Sequence, residues 1–196
     1  MNQNPAPAGN PLGNAPVGSL LQKFAIPSII SMVVNALYNI VDQIFIGQGV
    51  GMLGNAATNV AFPMTTVVLA VSLLLGIGGA SNFNLALGRQ QTDRARQIAG
   101  TAFGSLALFG ILLFLVIRSF LEPIVLACGA TEQTLDYSLA YVSITSLGFP
   151  FAMLTTGGCH LIRADGKPTY SMIATLSGAI INTILDPLFI FVFGWG

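Results

Sequence analysis

The chain has 196 residues, of which 54% are hydrophobic and 7% charged, with seven Lys and Arg set against seven Asp and Glu. A folded domain in water carries about 25% charged residues to wet its surface, so this supply, with a mean hydropathy of +0.78, excludes an ordinary soluble domain. Zero net charge with only seven Lys and Arg argues against a nucleic-acid partner, and two cysteines are too few for a disulfide framework.

Residues 1–18 combine Pro, Asn, Gly and Ala with no charge. They cannot bury enough apolar surface to offset their ordering entropy, and read as a disordered tail. They also lack the basic start and small-residue cleavage site of a signal peptide. The remaining residues, 19–196, read as an all-α, polytopic membrane helix bundle. A spanning helix needs about 20 mainly apolar residues, and five stretches qualify: about 20–46, 53–87, 98–117, 135–162 and 169–193. Gly47-Gln48-Gly49, Gly88 to Arg96, Arg118 to Asp136 and Arg163 to Pro168 separate them. The first, second and fourth exceed a perpendicular crossing, so tilting or kinking is expected, with Pro27, Pro63, Pro150 and Pro187 as kink sites.

Orientation follows from the cations. With a cytoplasmic tail, Lys23, Arg89, Arg94, Arg96, Arg163 and Lys167 all fall inside and Arg118 alone outside, a positive-inside pattern. The loop bearing Glu122, Glu132 and Asp136 is then external, with Trp195 as an interfacial anchor on that side. Cys128 and Cys159 fall at opposite membrane faces, too far apart to pair.

Two carboxylates lie within apolar spans, Asp42 in the first and Asp186 in the fifth. Each costs about 2.5–3.5 kcal/mol at a helix centre, so an intramembrane acid points to function. Counted from the start of its span at about 1.5 Å per residue, Asp42 lies about 33 Å and Asp186 about 26 Å along the helix, which places them at similar depth. Asn35, Tyr38 and Asp42 share one helical face; Ser171, Thr175, Gly178, Asn182 and Asp186 share another. Pro187 has no N–H and leaves the carbonyl of Thr183 without its helical donor. Carboxylates, an amide oxygen and a freed carbonyl are hard ligands suited to Na⁺ or a proton.

Weaker polar faces run along the second span (Asn55, Asn59, Phe62, Thr66) and the fourth (Ser138, Tyr141, Thr145, Gly148). They either line a cavity or join helices through hydrogen bonds. Gly76 to Ser81 has no preceding strand and no following Lys, so it reads as close helix packing and not as a phosphate loop. An intramembrane serine protease built on Ser81 and His160 would want Gly-x-Ser-Gly, but Asn82 follows Ser81. An aspartyl protease built on Asp42 and Asp186 lacks the Tyr-Asp and Gly-x-Gly-Asp contexts. Enzyme readings therefore fall below transport.

The order Pro27…Asp42…Gly47, then Pro63 and the Gly76–Ser81 run, then Arg163-Ala-Asp-Gly-Lys-Pro168 and Asn182-x-x-x-Asp186, resembles the multidrug and toxic compound extrusion (MATE) family of secondary transporters. The resemblance covers everything after the tail. It implies five spans of a six-helix N-terminal lobe in the plasma (inner) membrane, with Gly194-Trp195-Gly196 as a loop cut short. A sixth helix and a C-terminal lobe would be needed for transport. It further implies an antiporter that expels a drug or organic cation in exchange for H⁺ or Na⁺, with no other cofactor and no nucleic-acid partner. The family's cation or proton site maps onto Asp42, Asn182 and Asp186, the residues at which Na⁺ could bind. Tyr38 and Tyr141 would support them by hydrogen bonding, and Asn35, Asn59, Thr66 and Thr175 would support the site or line the substrate cavity. Two alternatives stay open: a flippase of lipid-linked saccharides from the same broad superfamily, and a non-transporting membrane fragment that packs against a partner.

Overall fold

A computed structural model describes residues 16–193, the Phe191 side chain excepted. The first 15 residues of the expected tail, and Trp195 with its flanking glycines, lie outside the described residues. All regular structure among the described residues is helical: α1 (Val17–Gly49), α2 (Met52–Gly88), α3 (Thr92–Ser119), α4 (Leu121–Ala127), α5 (Leu135–Thr145), α6 (Phe149–Ala164) and α7 (Pro168–Pro187). A 3-10 turn at Ser146–Gly148 joins α5 to α6, and a π-helical segment at Leu188–Val192 extends α7. Five segments are long and apolar enough to cross a membrane: α1, α2, α3, α5 with α6, and α7 with the residues that follow it. Large apolar side chains such as Met32, Leu74, Ile144 and Phe151 point outward on these segments. Lipid is the solvent that tolerates them.

Three boundaries differ from the sequence reading, each for a local reason. Helix α1 starts at Val17, inside the expected tail, because Pro16 sits as N-cap and its carbonyl accepts the first helical bond, from Leu20 N–H at 3.1 Å. Helix α3 starts at Thr92, ahead of the apolar run, since Asp93, Arg94 and Arg96 can remain helical where the span leaves the lipid. The stretch from Arg118 to Asp136 is not all loop: α4 folds back onto the bundle and buries Val125 completely. The proline positions behave unequally. Pro150 follows the 3-10 break and Pro187 stands where α7 turns π-helical, whereas Pro27 and Pro63 sit inside continuous helix.

Helices α2, α3 and α6 form the tight core, around Leu106 and Met153, with α5 contributing Val142 and α4 contributing Val125 at one end. Lipid tails are as apolar as leucine, so association relies on close van der Waals fit. The glycines supply it: a Cβ on Gly76 of α2 would sit 2.6 Å from the Cα of Gly157 on α6, and one on Gly79 would sit 2.7 Å from the Cβ of Ala102 on α3. The Gly76–Ser81 run is thus a helix-packing seam.

The fifth span does not join this core. Helix α7 packs chiefly on α1, and the two touch the rest of the bundle lightly. Among the described residues, α1 fully buries only Ser31, and α7 only Pro168, Ser171 and Ala179. Since spans alternate in direction, α1 and α7 run parallel. Lys23, Arg89, Arg94, Arg96, Arg163 and Lys167 gather at one end of the bundle, and Arg118 lies at the other.

Candidate functional site

Parallel packing brings together residues of equal height on α1 and α7. The carboxyl groups of Asp42 and Asp186 come within hydrogen-bonding reach of one another, both half-buried. Tyr38, one turn before Asp42, and Tyr141 of α5 both lie near enough to the pair to feel its charge. One cluster therefore draws on three helices, although α1 and α5 barely touch through their backbones.

Ionised carboxylates only accept, so the two acids can hydrogen-bond each other only when one of them carries a proton and donates it. With both ionised, Oδ2 of Asp186 is buried without a donor, and so is Oδ1 of Asn182, one helical turn earlier. Among the described residues, no basic side chain pairs with either acid. Among the described residues the ion pair is Lys167–Asp165 at 3.0 Å, which precedes α7 and lies about 27 Å from Asp186 along it at about 1.5 Å per residue. A half-buried acidic pair with spare oxygen acceptors and no counter-charge is a place where a proton or a small cation would be stabilised. The donor set, two carboxylates, an amide oxygen and tyrosine hydroxyls, is hard oxygen throughout.

The other candidate residues divide. Thr175 is half-buried on the α7 face of Asn182 and Asp186, and its hydroxyl donates to the carbonyl of Ser171 at 3.0 Å. The face runs past open space, since a Cβ on Gly178 would meet nothing within 4 Å. Asn35 is exposed and accepts from Asn39 Nδ2 through its carbonyl at 2.7 Å and its Oδ1 at 2.9 Å, a local pair on α1. Asn59 and Thr66 are exposed on α2, and each donates to its own helix: Asn59 Nδ2 to the Asn55 carbonyl at 2.9 Å, Thr66 Oγ1 to the Phe62 carbonyl at 2.8 Å. The structure does not bring these three into the acid cluster, nor do those bonds bridge helices. Ser81 is exposed on α2 and His160 half-buried on α6.

Sequence reasoning passed over one link. Thr58 Oγ1 donates to Gln43 Oε1 at 3.3 Å and ties α2 to α1 beside Asp42. The available signal was an uncharged polar residue adjacent to the acid in an apolar span. Both cysteines are free, Cys128 half-buried after α4 and Cys159 buried in α6.

Comparison with known proteins adds a separate line. The family model described as MatE matches residues 27–188. The multidrug export protein MepA of Staphylococcus haemolyticus (strain JCSC1435) is 29% identical over 171 residues, covering 87% of this chain and 38% of that protein. MepA of Staphylococcus aureus (strain NCTC 8325 / PS 47) is 28% identical over 180 residues, covering 91% of this chain and 40% of that one. Among solved structures, a MATE crystal structure in complex with MaL6 superposes with a TM-score of 0.89 at 24% identity, covering 97% of this chain and 42% of that one. The outward-facing conformation of a multidrug resistance MATE family transporter of the MOP superfamily gives 0.86 at 23% identity, with 96% and 40% covered. At these identities the structures speak for the fold. The chain spans about 40% of the length of the curated relatives it matches.

Proposed function

The chain belongs to the MatE family, and from that premise we propose that it supplies the N-terminal lobe of a secondary active multidrug efflux antiporter, moving a drug or organic cation out and H⁺ or Na⁺ in. In this reading the protein is multi-pass in the plasma (inner) membrane, the tail is cytoplasmic, and a sixth helix and a C-terminal lobe complete the cavity. Asp42, Asn182 and Asp186 hold the proton or cation, supported by Tyr38 and Tyr141. The observation that carries the reading is the uncompensated pair Asp42–Asp186 beside the donorless oxygens of Asn182 and Asp186.

Coupling follows from electrostatics. The two acids titrate as one unit, because each feels the other's charge. With both charged they repel, which drives apart the α1 and α7 faces that pack together in the structure. A proton or Na⁺ entering from outside removes the repulsion and the faces close. Helix α1 can comply, because it is lightly held by the core and Pro27 deprives it of one backbone bond. Closure shrinks the cavity and expels its occupant. When the expelled drug is neutral, the one charge that enters across 100 mV supplies about 2.3 kcal/mol, more than a tenfold accumulation, since about 1.4 kcal/mol is a factor of ten. Exchange for a monovalent organic cation is electroneutral and is driven by the H⁺ or Na⁺ concentration gradient alone.

The test is ethidium efflux by the full-length protein in a pump-deficient host. Asp42→Asn abolishes efflux at unchanged membrane abundance; normal efflux by that variant would sink the mechanism. Transfer of a labelled lipid-linked saccharide, with no dye efflux, would replace the drug antiporter by a flippase.

A further inference from the structure

At the cation-rich end, a cavity of about 670 Å³ opens between the ends of α2 and α6 and the starts of α3 and α7. That volume lies within the roughly 300–1,000 Å³ of typical ligand sites. It is far from Asp42 and Asp186, which lie toward the opposite end of their helices. Its wall is graded. Arg96, Lys167 and the Tyr170 ring line the outer part, while Phe83, Phe103 and Leu161 line the inner part. From Thr92 to Phe103 the wall runs about 16 Å along α3, at about 1.5 Å per residue.

The two sides of α3 differ. On one, Arg94, Gln97, Thr101 and Ser105 line a smaller cavity of mixed polar and apolar wall with Asn82 and Leu75 of α2. On the other, Arg96, Ala99 and Phe103 present one cation above an apolar slope. The second side has the amphipathic order of a membrane leaflet: charge at the surface, hydrocarbon beneath. A soluble anion would gain nothing from the phenylalanines, and an apolar helix would gain nothing from two cations. The cavity carries one acid, Asp165, paired with Lys167 at 3.0 Å. The end as a whole holds Lys23, Arg89, Arg94, Arg96, Arg163 and Lys167 against Asp93 and Asp165. The charge is complementary to an anionic headgroup, and basic pockets between spans are suited to such lipids.

We propose that this groove binds one anionic phospholipid of the adjoining leaflet, its phosphate held by Arg96 and Lys167 and an acyl chain lying along Phe83 and Phe103. The site is independent of the acid cluster and of the transport cycle proposed above. The probe is phosphatidylglycerol, titrated against phosphatidylethanolamine onto the delipidated full-length protein and read by native mass spectrometry. The wild type retains one phosphatidylglycerol in preference to phosphatidylethanolamine. Arg96→Gln with Lys167→Gln lowers that occupancy at least fivefold and leaves phosphatidylethanolamine binding unchanged. Asp165→Asn, which frees Lys167 from its pair, raises it at least twofold. Ala99→Trp fills the groove without altering charge and removes the bound lipid. If the double variant misfolds, the opposite-signed Asp165→Asn and Ala99→Trp effects still decide. Equal occupancy by both lipids in the wild type, or occupancy unmoved by the charge variants, overturns the proposal. So does a photoreactive side chain at position 99 that captures another segment of the same protein instead of lipid.

Discussion

The α2–α6 crossing at Gly76 and Gly157 gives a sharp test of what holds the bundle together. Gly76→Ala places a methyl 2.6 Å from the Cα of Gly157, 3.0 Å from its carbonyl oxygen and 3.2 Å from its carbonyl carbon. These are backbone atoms and cannot rotate away. Carbon pairs settle near 3.5–4.0 Å, so the helices must separate by about 1 Å. Overpacking of this kind costs about 1–3 kcal/mol, and the intrinsic helix gain of Gly→Ala returns at most about 1 kcal/mol. Gly78→Ala is the internal control, two residues along the same helix, where an added Cβ meets nothing within 4 Å. It keeps the propensity gain without the clash, and Gly104→Ala on α3 does the same. The propensity gain cancels between the two, so the expected gap in stability between Gly76→Ala and Gly78→Ala is the overpacking cost, about 1–3 kcal/mol. Thermal unfolding of each variant in the same detergent, followed by size-exclusion chromatography, measures it. Equal stability of the two within about 0.5 kcal/mol, the ordinary range for substitutions that break nothing, would refute the close approach of α2 and α6.

Other substitutions probe the same physics with different signs. Leu106→Ala removes a fully buried side chain against Gly157; with lipid as the reference only packing is lost, so a cost near 2 kcal/mol, the low end of the usual core range, is expected in the same unfolding assay. Ser138→Ala deletes a buried hydroxyl that has no hydrogen-bond partner, so stability should hold or rise, and a loss above about 1 kcal/mol would reveal a partner for that oxygen. A membrane-impermeant maleimide applied to intact cells should label Cys128 and spare the buried Cys159 until denaturant is added. Labelling of Cys128 only in inverted vesicles would reverse the proposed orientation.

The acid pair was legible because an ionisable residue in an apolar span is conspicuous, and equal helical depth could be counted from the span ends. Asn182 and Thr175 followed from the 3.6-residue period of the same face. The same periodicity puts Asn35, Asn59 and Thr66 on polar faces as well, but their polar groups return to their own helices and away from the acid pair. Period places a residue on a face but does not say which neighbour the face meets.

Hydropathy, length and the charged breaks between apolar runs determined by themselves that the described residues hold five helices long and apolar enough to cross a membrane. Lipid cannot hydrogen-bond a backbone, so each crossing must be a helix of sufficient length. Tertiary structure alone decided that α1 packs mainly on α7 and only lightly on its sequence neighbour, that α4 folds back to bury Val125, and that Tyr141 of α5 lies within range of the acids' charge. The reason is that all apolar faces are equivalent to lipid. Helix pairing rests instead on the fit of small residues such as Gly76 against Gly157, and that fit exists only once both helices are in place.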